Sequence, residues 1–439
     1  MEPAVAGPYR QRWIALATRQ APHLMADPAW RMKFGQVMAA HKRRGQLSFW
    51  LLAFVFATTM AGTTLPTPLY VIWAAQYHFS PLMVSIIYAT YAVAVMASLL
   101  LAGRSSDQVG RKPVLFTALC VSALSAAIFI VAPDVAALFV ARVLSGLSAG
   151  LMTGTATAGL TELFQGSASR RASLVAVTMN VGGLGLGPLI AGLFSQYLPD
   201  PTTTVFEAYF GLLAIAAVFL FFIPETVSPR QRLVLRFTGL GIPERGRGEF
   251  FAAAVAGFAG FSLLGLFSSV VPGFMGNVLH ETSHAIQGAV VFGSFFLAAL
   301  TQVAVFKFDS RRVVLAGLGL FLIALALIVV ALGEAALGLF LAGTSLSGVA
   351  VGAVFLGALT TVNRLAPAEQ RAHVVSTFFV ACYLGLIIPV VGVGVLTEFI
   401  GIFWAVFTLA IVLAVMCAFS FARTTATREL ATPTAGASG

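Results

Sequence analysis

Eleven residues carry the decisive reading: Gly103-Arg104-Ser105-Ser106-Asp107-Gln108-Val109-Gly110-Arg111-Lys112-Pro113. An apolar run over 81–102 stops where this stretch begins, and another over 113–132 starts where it ends. Each run is long enough to cross a hydrocarbon core, which takes about 20 residues as a helix. The stretch is therefore a tight, basic hinge between two membrane spans. Gly103 lets two helices approach closely, and Gly110 is a turn glycine. Asp107 stands four residues before Arg111, a spacing that lets the two pair, or it can meet the positive N-terminus of a neighbouring helix.

The composition extends this reading to the whole chain. Of 439 residues, 59% are hydrophobic and 10% charged, with a mean hydropathy of +0.94. Soluble domains carry roughly 25% charged residues, so a cytosolic enzyme, a disordered regulator and a disulfide scaffold are excluded and the bilayer is the main solvent. Twelve apolar runs follow one another: 48–73, 81–102, 113–132, 134–160, 172–197 and 205–223, then 250–275, 284–306, 313–332, 335–361, 372–396 and 401–421. We expect an all-α membrane protein of twelve transmembrane helices. Its expected parts are a basic tail (1–46), a six-helix bundle (47–223), a central loop (224–249), a second six-helix bundle (250–421) and a C-terminal tail (422–439).

The net charge of +10 reads as topology rather than as affinity for nucleic acid. Both tails, the central loop and the loops that share their side hold 25 of the 26 Lys and Arg, among them Arg104, Arg170, Arg171, Arg230, Lys307, Arg311, Arg312, Arg364 and Arg371. The opposite loops hold none, and carry Asp134, Asp200, Glu207, Glu281, Glu334 and Glu398. Basic residues mark the cytoplasmic side, so both termini are expected there. Trp50, Trp73 and Trp404 fall near span ends, where interfacial tryptophans belong. Residues 1–46 hold eight basic and two acidic residues and no spanning run. Either they form a membrane-surface segment or the chain effectively starts at Met38. Cys120, Cys382 and Cys417 lie inside apolar runs at no metal-ligand spacing and read as helix-packing residues.

The two halves repeat. Asp107 and Asp309 are 202 residues apart, Gly146 and Gly150 match Gly348 and Gly352 at that same offset, Arg170 matches Arg371 at 201, and Leu184-Gly185-Leu186 recurs as Leu384-Gly385-Leu386 at 200. Parallel six-helix repeats are a transporter architecture, with the substrate site between the halves.

Three motifs sharpen this. The hinge quoted first resembles the signature Gly-x-x-x-Asp-Arg-x-Gly-Arg-Arg/Lys of the major facilitator superfamily: Gly103, Asp107, Gly110, Arg111 and Lys112 match, and Gln108 replaces the family's first Arg. Arg142-x-x-x-Gly146-x-x-x-Gly150 resembles that family's span 4 pattern. Gly183-x-x-x-Gly187-Pro188-x-x-Ala191-Gly192 resembles the span 5 run of its drug:proton antiporters, with Ala191 in place of one glycine. Leu65-Pro66-Thr67-Pro68-Leu69-Tyr70 and Pro224-Glu225-Thr226 add to the likeness. The resemblance implies the major facilitator fold, two six-helix bundles related by a parallel repeat, working by alternating access. It implies that the Asp107–Lys112 cluster latches the cytoplasmic side in the outward-facing state, with Gln108 weakening the latch by one cation. It places Arg142 near the proton or substrate path, although an arginine paired with a carbonyl for purely structural reasons is the competing reading. Pro188 removes a backbone donor and bends span 5.

The resemblance also points to spans 1, 4, 7 and 10 as lining the path, with help from 2, 5, 8 and 11. Thr63, Tyr88, Tyr91, Asn180, Thr344 and Tyr383 are the cavity candidates. A mostly apolar pocket with few hydrogen-bonding groups suits an amphiphile better than a sugar. No nucleotide-cradling motif occurs, so no ATP-driven step and no cofactor or metal is expected. We expect a non-enzymatic, monomeric inner-membrane carrier whose partners are a small-molecule substrate, protons and lipid. Its expected activity is proton-coupled efflux of a small amphiphilic or drug-like molecule; the alternative is a facilitator or proton symporter importing a metabolite. No acidic residue falls in the middle of a span, which leaves Glu207 and Glu398, near outer span ends, as the candidates for a proton carrier.

Overall fold

The computed structural model describes residues 28–103, 105–163, 169–227, 239–269, 271–277, 279, 281–367 and 369–426, with side chains described from residue 45 onward except at a few positions beside the gaps. Arg104, Arg230, residues 1–27 and the end of the C-terminal tail lie outside them, as does the side chain of Arg170.

All the described secondary structure is helical. Eleven helices are long and apolar enough to cross a membrane. Span 1 is Gly45–Tyr77, interrupted at Leu65, where Pro66 and Pro68 remove two donors. Spans 2, 3, 4 and 6 are Pro81–Ala102, Arg111–Val131, Val135–Leu163 and Pro201–Phe222; span 5 is the helix Ser169–Tyr197. Spans 7 to 10 are Arg247–Ser269, His284–Val305, Ser310–Gly333 and Leu337–Leu365. The last helix, Arg371–Ala426, is two spans joined at Gly401, whose φ of 78° breaks the helical path. Arg311, on the basic side, donates to the Thr425 carbonyl oxygen at 2.8 Å, so the chain has returned to that side by the end of span 12. The twelve expected spans are thus present.

Proline at the first turn starts spans 2 and 6, where the missing N–H has no partner to lose. Ser283 caps span 8 by accepting from the Ile286 N–H, and Asp309 caps span 9 by accepting from the Arg312 N–H.

The repeat read in the sequence is a repeat of packing. Gly146 and Gly150 bring span 4 against the backbone of span 2 around Tyr91 and Val95; Gly348 and Gly352 bring span 10 against the Ser294 and Ala298 carbonyls of span 8. A side chain at any of the four would collide with the neighbouring helix, the small-residue logic by which helices associate in lipid.

Two expectations are corrected. Trp73 is core, not interface: it is 2% exposed and stacks on Phe129 and Phe206 at 5.6 and 6.4 Å, because span 1 continues to Tyr77 and carries Trp73 inward, whereas Trp50 and Trp404 are exposed. Cys120 is exposed on the outside of span 3, while Cys382 and Cys417 pack inside. The helix that opens span 1 begins at Pro28, inside the stretch read as a tail.

Candidate functional site

The two seams between the halves run between spans 2 and 11 and between spans 5 and 8. At the acidic side both are shut. Gly192 of span 5 lies against the His284 carbonyl and Gly288 of span 8, and Gly288 in turn lies against the Pro188 carbonyl. The His284 N–H donates to Gln196 Oε1 at 3.0 Å across the same seam. Gly394 of span 11 closes on Ser85 and Leu82 of span 2. At the basic side both seams part. A cavity of roughly 580 Å³ separates spans 2 and 11, with Leu99, Leu100 and Gly103 on one wall and Val375, Phe379 and Tyr383 on the other. A second cavity of roughly 240 Å³ lies among spans 5, 8, 9 and 10, and Asn363 borders both. The structure is open to the basic face and closed to the acidic one.

Closure at the acidic side rests on span 5. Pro188 has no N–H, so the Leu184 carbonyl loses its helical donor. The Thr64 hydroxyl donates to that oxygen at 2.8 Å. Gly183 and Gly187 bring the same helix against span 1 at Ala57, Met60 and Ala61. One face of the run 183–192 therefore grips its own half through span 1, while Gly185, Pro188 and Gly192 meet span 8 of the other half.

Arg142 is fully buried. Its Nη1 donates to the Thr63 carbonyl oxygen at 2.6 Å, and the guanidinium lies over the rings of Tyr91, Tyr70 and Tyr88, at 4.9, 5.6 and 5.6 Å from their centres. Such cation–π contacts are stronger when desolvated. Nε and Nη2 make no bond of hydrogen-bond geometry among the described residues, and no carboxylate pairs with this side chain there. The carbonyl pairing foreseen for a structural arginine is present, yet it uses one donor of five.

Arg111 organises the basic end of the first half. It is paired with Asp107 at 2.7 Å and with Glu162, at the end of span 4, at 2.6 Å. Ser106 accepts from its Nη1 at 2.5 Å. Gly110, at φ 103°, turns the chain so that the first N–H groups of span 3, from Arg111 and Lys112, point at the Glu225 carboxylate at 2.8 and 3.0 Å. A carboxylate at a helix N-terminus satisfies orphan donors and favours the macrodipole. Thr226 donates to Glu162, which ties span 6 to span 4. Among the described residues, the partners of Arg111, Lys112 and Glu162 named here belong to the first half, and Asp309, the counterpart of Asp107, caps its own helix. Glu162 was not legible in the sequence, because only folding brings it within reach of a residue 51 positions away.

Of the six cavity candidates, Tyr383 lines the larger cavity. Tyr88 and Tyr91 lie behind it around Arg142, and the Thr63 hydroxyl donates to the Met60 carbonyl oxygen. Thr344 is buried within the second half with its hydroxyl on the Phe340 carbonyl oxygen. Asn180 is half-buried beside Thr153. None of those five borders either cavity. Glu207 and Glu398 are exposed, away from both. The cavity wall on span 11, from Arg371 to Tyr383, went largely unpredicted, since its apolar members look like ordinary lipid-facing residues.

Two helical halves, shut against each other at one membrane face and parted over a cavity at the other, define a multi-pass membrane transporter. The chain belongs to the Major Facilitator Superfamily, whose family model matches residues 52–306. It is similar to the inner membrane transport protein YnfM of Escherichia coli (strain K12), 28% identical over 250 residues that cover 53% of this chain and 55% of that one. It is also similar to the puromycin resistance protein pur8 of Streptomyces alboniger, 30% identical over 158 residues, 36% of this chain and 30% of that one. The matches thus span about half the length of the first relative and less of the second. Among solved structures, a bacterial homolog to human lysosomal transporter Spinster, in an inward-facing and unoccupied conformation, matches with a TM-score of 0.69 at 13% identity, covering 89% of this chain and 99% of that one. That likeness is one of fold.

Proposed function

We propose that this secondary transporter exports a small amphiphilic molecule from the cytoplasm by alternating access, driven by the proton gradient. The observation that carries this reading is the roughly 580 Å³ cavity, with mostly apolar walls, that opens at the basic face. Basic loops mark the cytoplasmic side, so the open mouth faces the compartment from which an exporter loads. Apolar walls with a few polar groups hold an amphiphile and orient it. At the opposite face Pro188 and Gly192 meet span 8 while Gly183 and Gly187 seat the same helix on span 1, and the likeness of this run to the antiporter run supports export against a proton. The similarity to a puromycin resistance protein supports the same direction.

In this cycle the cluster of Asp107, Gly110, Arg111 and Lys112, beside Gly103, takes up partners from the second half when the inner mouth closes. Asp107 remains 57% exposed at its side chain, and is free to do so. Arg142 holds span 4 to span 1 beside the proline pair that follows Leu65, where a shift of either span changes the contacts of the guanidinium.

The test is flux in proteoliposomes holding the purified chain. Extrusion of an aromatic amphiphile should follow an imposed proton gradient and stop when the gradient is collapsed. Flux in the opposite direction with the gradient would turn the reading into import.

A further inference from the structure

Resting on the proposed carrier function and deepening it, we infer that the inward cavity selects amphiphiles with an anionic head and rejects organic cations, and that Arg371 is the group that reads the charge. Arg371 is the charged residue of the cavity wall; no carboxylate lines either cavity among the described residues. It stands on the first turn of span 11, exposed at the mouth, and makes no ion pair or hydrogen bond among the described residues. Asn363 and Ser376 border the same mouth, while Met96, Leu99, Val375 and Phe379 supply the apolar walls.

Four carboxylates near this face are engaged away from the cavities, and a fifth, Asp309, caps span 9. Asp107 and Glu162 share Arg111, Glu249 pairs with Arg364 at 2.7 Å, and Glu225 accepts from the N-terminus of span 3. Glu244 and Glu369 are exposed and line neither cavity. The blind end carries the same sign as the mouth. Tyr383 closes the cavity, packed against the cluster that contains Tyr88 and Tyr91, and behind those rings stands the Arg142 guanidinium.

A ligand entering this cleft therefore meets a cation at the mouth and moves toward a second one. Low-dielectric walls focus such a field rather than screen it. An anionic head gains charge-assisted bonds at Arg371 with its tail on the apolar walls. A cationic head loses its hydration and finds no counter-charge.

The experiment compares two probes that share one aromatic body, naphthalene-2-sulfonate and 2-naphthyl-trimethylammonium. Counterflow of each is measured in proteoliposomes with the full chain and no imposed gradient. The expected result is protein-dependent exchange of the sulfonate and exchange of the ammonium no faster than in empty liposomes. Arg371→Gln should raise the KM for the sulfonate roughly five- to tenfold, as loss of one solvent-accessible charge-assisted contact would. Arg371→Lys should restore most of it. Exchange of the ammonium as fast as the sulfonate by the parental chain would overturn the charge selection and leave the carrier function standing. Exchange of neither would overturn both. An unchanged KM in Arg371→Gln would take the reading of charge away from Arg371.

Discussion

The Thr64 hydroxyl donates to the Leu184 carbonyl oxygen at 2.8 Å, and Leu184 is the residue whose helical donor Pro188 removes. One hydroxyl of span 1 thereby completes the backbone of span 5 at its proline. In lipid no water is present to do so. Thr64→Val keeps the shape and deletes the donor. We expect about 1 kcal/mol of lost stability, in the range of interhelical hydrogen bonds in membranes, read as a lower midpoint of unfolding in mixed micelles. An unchanged midpoint would show that the carbonyl finds another donor.

Arg142 offers a second test. Lysine keeps the charge but cannot hold the Thr63 carbonyl and lie flat against three rings at once. Arg142→Ala should insert yet transport at a few per cent of the parental rate or less. Arg142→Lys should fall at least about tenfold, the cost of one bond to a charged group. Parental rates in Arg142→Ala would leave the residue a structural pin on Thr63.

Asp107→Asn removes one of two carboxylates on Arg111, and Glu162 remains at 2.6 Å to hold the cluster together. Stability should change by less than about 1 kcal/mol, as for exposed pairs. Transport should slow strongly, and a cysteine placed at Ser376 in the cavity should label faster, because the state closed at the basic face has lost a contact. Unchanged transport and labelling would remove Asp107 from the cycle.

Glycines with and without neighbours should behave oppositely. A Cβ on Gly288 would collide with the Pro188 carbonyl, so Gly288→Ala should loosen the seal at the acidic face and shift the population toward opening there. A Cβ on Gly182 meets nothing within 4 Å, so Gly182→Ala should be neutral or stabilise the helix by up to about 1 kcal/mol. Distances between spin labels across the span 5 and span 8 ends would separate the two.

Much of the fold was legible before any coordinates, because each span must satisfy its own backbone and present apolar side chains to lipid. That local demand is written as runs of hydropathy, and the loop charges add an expectation of sidedness. Even the repeat could be read, from Gly146 and Gly150 and their copies Gly348 and Gly352, since a close helix crossing needs glycine at a fixed place in each half. Trp73 shows the limit: nearness to a span end suggested an interface, and stacking on Phe129 and Phe206 decided otherwise.

The sequence by itself determined twelve apolar helices, their alternation across the membrane, the hinge around Asp107 and Arg111, and a buried cation at position 142. Only the tertiary structure decided that Glu162 and Glu225 complete that hinge, that three tyrosines and the Thr63 carbonyl enclose Arg142, and that spans 2 and 11 part at the basic face while meeting at Ser85 and Gly394. The reason is physical. Hydropathy is a property of each segment against its solvent, whereas these contacts join helices far apart in the chain, and their register depends on how every other side chain packs between them.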